Sequence, residues 1–356
     1  MTQDDRAALA EWFRLEAVGL AEVGSDFYGA LERDLADDVE AGGPSWSVLE
    51  AHAGTPHEDA LALRLLGGVH RMVLSGEAPD LARHYPSTGG DGDAVAAWWH
   101  LRDLLADPPP AVLDALTRPP QTNEVGRSAS LVPGFLHVAK STGLPLRLLE
   151  LGASAGLNLR VDRYRYEQGG AGWGDPGSAV RFEDLWPGAS PPLATPATIA
   201  SRAGCDQDPI DAAGPEAALT LLSYIWPDQE HRLERTRAAL SVAADFPVDI
   251  TRAAIDDWLP GQLETPVPGV ATVVFHSIVW QYLPEATRER VLATLDDAGS
   301  RATENAPLAY LRLEPSPVTY FPAELRLTRW PGARSADAGE LLATSGFHFG
   351  PVTWTG

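Results

Sequence analysis

The chain has 356 residues, 44% of them hydrophobic, and a formal net charge of −22. That length suits about two domains, and the hydrophobic content is that of a folded globular chain rather than a disordered one. The acidic balance repels phosphate backbones and anionic lipid, so nucleic acid and membrane surfaces are disfavoured as partners. Cys205 is the only cysteine, which excludes an intrachain disulfide and a cysteine-based zinc site. The sequence has no basic-then-apolar amino terminus and no run of about 18 apolar residues, so a cytoplasmic location is expected.

Residues 1 to about 140 read as an all-α domain. Ala62, Leu65, Leu66, Val69, Met72 and Val73 recur at helical spacing, interrupted by Gly67 and Gly68. Val95, Trp98, Trp99 and Leu105 predict a second helix, ended by Pro108-Pro109-Pro110. Residues 141–356 then alternate strand and helix patterns, the signature of an α/β sheet. Leu146–Leu151 is the first strand, with a helix expected from about Ser154. Tyr164–Phe182 alternates around Gly169-Gly170 and predicts an inserted β-hairpin. Further strands are expected over Thr198–Gly204, Val248–Ile255, Val270–Phe275 and Leu308–Leu313. Helices are expected near Ala217–Ile225, Gln229–Ala243 and from Pro284 to about Ala298. In the tail the pattern predicts a strand at Leu325–Trp330, a short helix ended by Gly346 and a strand over Phe347–Trp354.

The richest segment is Leu146-Arg147-Leu148-Leu149-Glu150-Leu151-Gly152-Ala153-Ser154-Ala155-Gly156-Leu157-Asn158. A strand running into a glycine turn brings backbone N–H groups towards a ligand. Read as Glu-x-Gly-x-x-x-Gly, it resembles the first nucleotide-binding loop of S-adenosylmethionine methyltransferases. Read as Gly152-Ala153-Ser154-Ala155-Gly156, it fits the nucleophile elbow of α/β-hydrolases. The elbow normally follows several strands, whereas here the strands follow it. A triad of Ser154 with Asp256 or Asp257 and His348 exists only as a chain order.

The methyltransferase resemblance covers about 146–356. It rests on the glycine loop, on Gly204-Cys205-Asp206-Gln207-Asp208-Pro209 and on Phe275-His276-Ser277-Ile278-Val279-Trp280-Gln281-Tyr282-Leu283-Pro284. Over most of its length the chain also resembles an uncharacterised bacterial family of methyltransferase-like proteins, a domain of unknown function. Gln121-Thr122-Asn123-Glu124-Val125-Gly126-Arg127 and Asp162-Arg163-Tyr164-Arg165-Tyr166 carry that likeness together with the loop and Phe275–Pro284. The resemblance implies a Rossmann-like α/β sheet of the methyltransferase type, S-adenosylmethionine as cofactor and a small molecule as methyl acceptor, on O or N. It places Glu150, Gly152, Ser154, Gly156 and Asn158 around the cofactor, Asp206 on its ribose diol and Asp256 or Asp257 on its adenine. Arg127 would meet its carboxylate.

His276 is the candidate general base, because imidazole titrates near neutral pH and the residue ends a buried strand where α/β sites lie. Trp280 and Tyr282 would wall the acceptor pocket. The sequence departs from the methyltransferase pattern where Ser154 replaces the middle glycine and Ala253-Ala254 replaces a Gly-Asp pair. Those departures motivate an alternative, a nucleotide-binding protein without transferase activity. His52, His57 and Glu58 match no zinc spacing, so no metal site is expected.

Overall fold

A computed structural model of the chain describes residues 3–54, 60–348 and 350–356. In chain order the elements are α1 (Gln3–Glu22), α2 (Asp26–Ala41), α3 (Pro44–Leu49), α4 (Leu61–Ser75), α5 (Pro79–Ala82), α6 (Ala94–Ala106), α7 (Pro110–Ala115) and α8 (Ser128–Thr142). There follow β1 (Leu146–Leu151), β2 (Arg165–Gln168), β3 (Ala171–Gly174), β4 (Arg181–Glu183), β5 (Ile199–Asp206), α9 (Pro215–Ser223), α10 (Glu230–Asp245), β6 (Ile250–Arg252), α11 (Ile255–Leu263) and β7 (Ala271–Ser277). The chain closes with α12 (Glu285–Ser300), β8 (Leu308–Ser316), β9 (Tyr320–Trp330), β10 (Glu340–Ser345) and β11 (Thr353–Trp354).

The chain forms two compact units. The first holds the residues up to Thr122 together with Pro215–Arg237; the second holds Asn123–Gly214 and Ala238–Gly356. This division differs from a single break near residue 140, because α8 packs on the sheet of the second unit while α9 and the start of α10 pack with the first. In the helical unit, the apolar positions read from α4 are all buried. Gly67 and Gly68 sit inside that helix because a Cβ on Gly67 would fall 2.7 Å from the Tyr224 ring and one on Gly68 2.7 Å from the Ala115 side chain. Close helix packing there outweighs a propensity cost of about 1 kcal/mol per glycine. α6 starts at Asp93, whose carboxylate accepts from the Ala96 N–H at 3.0 Å.

The second unit is a mixed α/β structure built on an eight-stranded sheet of order β11-β10-β9-β8-β7-β1-β5-β6. The five strands from β8 to β6 are parallel, and β9, β10 and β11 extend the sheet as an antiparallel meander. α8 covers one face, where Phe135 meets Phe275 edge-on at 5.0 Å and Gly134 lets the helix approach Leu311. α11 and α12 cover the other, packing Trp258, Leu259, Val291 and Leu295 against Leu149, Leu151, Val274 and Tyr310. The expected hairpin is present as β2 and β3, and β4 joins it alongside β2 in a separate three-stranded sheet.

Three local expectations are corrected. No α-helix follows β1: Leu157–Arg163 is a 3-10 turn, non-helical at Arg160 (φ −102°, ψ 21°). Side chains take the carbonyls an α-helix would use, with Arg160 Nη1 donating to Ala155 O and Gly156 O and Tyr164 Oη to Leu157 O at 2.8 Å. The short helix expected before Gly346 is strand β10. The expected strand to Ile255 ends at Arg252, and Ile255 opens α11.

Candidate functional site at the strand ends

Strand order reverses at β1: β5 lies on one side of it and β7 on the other. The carboxyl ends of parallel strands at such a reversal are where open α/β sheets hold ligands. Three stretches of the sequence meet there. Glu150 ends β1 in register with Gly204 of β5 and Phe275 of β7. Asp206 ends β5, and Asn123 to Arg127 lead into α8.

The glycine loop turns by left-handed backbone at alternate residues, Gly152 (φ 70°), Ser154 (φ 51°) and Gly156 (φ 66°). Its donors are largely spent within the protein. Gly152 and Ala153 N–H donate to Cys205 O at 3.0 and 2.9 Å, Gly156 N–H to Ala153 O at 2.7 Å, and Leu157 N–H to Asn123 Oδ1 at 2.9 Å. Ser154 N–H donates to Asp206 Oδ2 at 2.8 Å. The protein's own carboxylate thus sits on the turn where an anion would be drawn. The glycines have packing reasons: a Cβ on Gly152 would fall 2.5 Å from Val279 Cγ2, and one on Gly156 2.8 Å from Ile250 Cδ1. Asp206 also accepts from Asp208 N–H at 2.9 Å through Oδ1, closing an Asx turn.

Glu150 is 2% exposed, and its Oε2 is buried with no hydrogen-bond partner. Burial pushes its carboxyl well above the usual carboxylate range; Asp206 adds to this, while Arg127 and Arg160 pull against it. Arg127 is itself buried, with Nε donating to Phe347 O and Nη1 to Ser277 O, both at 3.0 Å. Asn158 is buried beside these groups; its Nδ2 donates to Glu124 O at 3.3 Å and its Oδ1 has no partner. Cys205 is buried at the same strand end, and burial pushes its thiol up to about 12, which leaves it a packing residue rather than a nucleophile.

His276 lies elsewhere. Side chains alternate along β7, so Phe275 shares Glu150's face and His276 points to the face covered by α11 and α12. It is fully buried and stacks on half-buried Trp280 with ring centroids 5.2 Å apart. Both ring nitrogens are engaged: Nδ1 lies 2.5 Å from Glu314 Oε1 and Nε2 2.7 Å from Tyr310 Oη. With the ring proton assigned to Nδ1, Tyr310 donates to His276 and His276 to Glu314, which also accepts from Val279 N–H at 3.0 Å. The sequence therefore named one member of a buried relay and missed two. The missed signal is the alternation Tyr310-x-Arg312-x-Glu314, in a strand that runs on to Ser316 rather than stopping at Leu313.

The other candidates are placed as follows. Asp256 is half-buried in the first turn of α11 and bonded by Arg290 Nε at 2.7 Å, while Asp257 is exposed. Tyr282 is exposed in the 3-10 turn Trp280–Tyr282. Ser154 is buried. His348 lies just after β10. In the helical unit, His70 is buried between Ser87 Oγ (2.8 Å) and Ser223 O (3.1 Å), and His84 bonds Asp91. His57 and Glu58 lie outside the described residues. Among the described residues no group of three or more His, Cys, Asp or Glu is arranged to hold a metal ion, and no helix is long and apolar enough to cross a membrane.

The chain belongs to the family described as "Uncharacterized protein conserved in bacteria (DUF2332)", whose model matches residues 10–354. No curated protein matches the chain.

Proposed function

We propose that the second unit binds S-adenosylmethionine at the ends of β1 and β5 and transfers its methyl group to an O or N atom of a small molecule. The observation that carries this reading is the pair of carboxyl groups, Glu150 and Asp206, on adjacent parallel strands beside the reversal of strand order. The order β6-β5-β1-β7-β8 is the 3-2-1-4-5 order of nucleotide-binding sheets, in keeping with a Rossmann-like arrangement of the methyltransferase type. Glu150 offers a buried, unpartnered oxygen that suits an ammonium group. Each Asp206 oxygen accepts one backbone N–H and keeps a lone pair for a ribose hydroxyl. When bound, the sulfonium supplies an electrophilic methyl; the protein's part is to align it with the acceptor and to take up one proton.

A second reading, binding without transfer, is favoured by one specific observation. Both His276 nitrogens are engaged, so a proton from an acceptor must enter through Glu314 or Tyr310 rather than the imidazole directly. Calorimetric titration with S-adenosylhomocysteine separates these readings from a chain that has no such ligand. Micromolar binding to the wild type that is lost in Asp206→Ala supports the site. No binding to demonstrably folded protein refutes both. Binding with no methyl transfer across a broad acceptor panel leaves the second.

A further inference from the structure

Glu150 pairs in register with Gly204, so Asp206, two residues further along β5, shares its face of the sheet. Glu150 is 2% exposed, and its Oε2 has no hydrogen-bond partner. The two cations that act on it are bonded elsewhere. Arg127 donates to Phe347 O and Ser277 O, and Arg160 donates to Phe246 O at 2.7 Å as well as to Ala155 O and Gly156 O. An ionised carboxyl in this position holds a charge out of water with one oxygen unbonded, whereas a protonated one holds none. Without a further cation beside it Glu150 is therefore neutral, the direction in which burial and Asp206 both push it.

The titratable groups around Glu150 come from three stretches of chain. Asp206 and Cys205 belong to β5, Arg160 and Tyr164 follow the glycine loop, and Arg127 leads into α8. Glu124, on the same lead-in, accepts from Gly126 N–H at 2.8 Å. Burial pushes the Cys205 thiol and the Tyr164 phenol up, so both stay neutral, and the two guanidinium groups stay charged. From β7 the residue in register with Glu150 is Phe275, which is apolar. Each Asp206 oxygen accepts a backbone N–H, whereas Glu150 Oε2 accepts nothing. The proton that an arriving cation displaces here is therefore the one on Glu150.

We propose that binding at the strand ends is an exchange, in which the ammonium group of the ligand takes the place of the proton on Glu150 and that proton leaves to solvent. The proposal rests on the S-adenosylmethionine reading for the identity of the ligand. It regulates that site by pH, because a proton and a cation that compete for one carboxyl weaken each other's binding by the same factor. The test is calorimetric titration of the full chain with S-adenosylhomocysteine in phosphate and in ACES, two buffers of different ionisation enthalpy, which counts the protons released. The control ligand is 5′-methylthioadenosine, which carries the same nucleoside without the amino-acid end. At pH 6 S-adenosylhomocysteine should release about one proton, and its affinity should rise by up to about tenfold per pH unit from pH 5.5 to 7, the slope of a one-proton exchange. Methylthioadenosine should release none and bind equally across that range. Glu150→Gln should bind S-adenosylhomocysteine without proton release and without the slope. The ligand-free wild type, labelled with 13C at the glutamate carboxyl carbons, should show Glu150 protonated at pH 6.

S-adenosylhomocysteine binding without proton release overturns the exchange and leaves the methyl-transfer reading standing. So does a Glu150 carboxyl already ionised at pH 6 in the ligand-free protein. Equal proton release in Glu150→Gln, or by methylthioadenosine, also overturns it, since the proton then comes from another group. No S-adenosylhomocysteine binding refutes the methyl-transfer reading and the exchange with it. The proton count, the pH series and the carboxyl titration on the wild type need no variant, so the proposal is decided even if Glu150→Gln fails to fold.

Discussion

The two units bury carboxyl groups in opposite ways. In the helical unit Glu16 of α1 and Glu32 of α2 each hold a buried oxygen without a partner, and the charge nearest Glu32 is the other acid. In the sheet unit Glu150 is as deeply buried, but Arg127 and Arg160 act on it. Burial pushes all of these carboxyls towards the protonated form; around Glu32 the other acid adds to that push, whereas around Glu150 Asp206 adds to it and two guanidinium groups oppose it. The first arrangement makes the helical unit sensitive to pH. The second is the candidate site, where the ammonium group of the proposed ligand would add a further cation beside Glu150.

The sharpest way to break the contrast is to remove the guanidinium. Arg127→Ala should cost about 3–5 kcal/mol of stability, since it strips the cation from a buried acid and leaves two carbonyls without their donor. Urea unfolding measures it. Arg127→Ala with Glu150→Gln should recover more than roughly 1 kcal/mol of that loss relative to additivity. Strict additivity would show that Arg127 serves only Phe347 O and Ser277 O and that Glu150 is not held by it.

The helical unit supplies the next largest effect, with a definite sign. Burial pushes Glu16 from the ordinary value of 4.5 up to about 7, partly offset by its bond from Trp12, and pushes Glu32 up further with Glu16 adding to it. The folded unit therefore binds protons that the unfolded chain releases. The contribution of these protons is full below pH 4.5 and falls as pH rises from there through 7, by roughly 3 kcal/mol for Glu16 alone. Thermal melts at pH 5 and pH 8 should differ by several degrees, higher at pH 5. Glu32→Gln should flatten that dependence. A melting temperature that rises with pH over this window would contradict the burial of the pair.

These two regions were also unequally legible. The strand, acid and glycine turn at Leu146–Gly156 stand out because strand periodicity and turn chemistry are local, and β7, which pairs with β1, reads as an apolar run for the same reason, whereas β5 on the other side is only weakly apolar. The helix expected after Ser154 failed because Arg160 and Tyr164 compete for its carbonyls, a contact between side chain and backbone that periodicity does not register. His276 was read as part of Glu150's site, yet strand alternation sets the two on opposite faces; counting from Phe275, which is in register with Glu150, reveals this only once the pairing is known. Glu32 lies inside an amphipathic helix, four residues from Tyr28, where a single acid among apolar residues gives no local sign of what it faces across the bundle. Arg127 was picked out for a ligand's carboxylate; what its sequence position did not reveal is that its guanidinium donates to two of the protein's own carbonyls and acts on Glu150.

The glycine loop offers a test of intermediate size. Gly152→Ala places a Cβ against Val279 and strains a residue at φ 70°, which should cost about 1–3 kcal/mol. Pairing it with Val279→Ala should relieve the clash but not the backbone strain, so part of the loss returns. Full recovery would mean the loop tolerates a side chain there. No recovery would mean Val279 was not the obstacle, and that the glycine is required for some other close approach.

The smallest effect sets the baseline for the others. Asp114 and Arg118 pair at 2.9 Å, one helical turn apart in sequence, at the exposed end of α7 in the helical unit. Both side chains are more than half in solvent, so the pair gains little Coulomb energy and loses side-chain freedom in forming. Asp114→Asn should shift stability by less than about 0.5 kcal/mol at physiological salt. The sign is informative on a chain of net charge −22, because removing an acid also relieves long-range repulsion. Repeating the melt at about 0.01 M and 1 M salt separates the terms, since both are screened at the higher value. If the variant is the more stable at low salt and indistinguishable at high salt, surface charge acts here only through net repulsion. A loss above 1 kcal/mol at low salt that disappears at 1 M would mean that exposed ion pairs help hold the helical unit together. The distinction drawn between its buried acids and Glu150 would then no longer rest on burial.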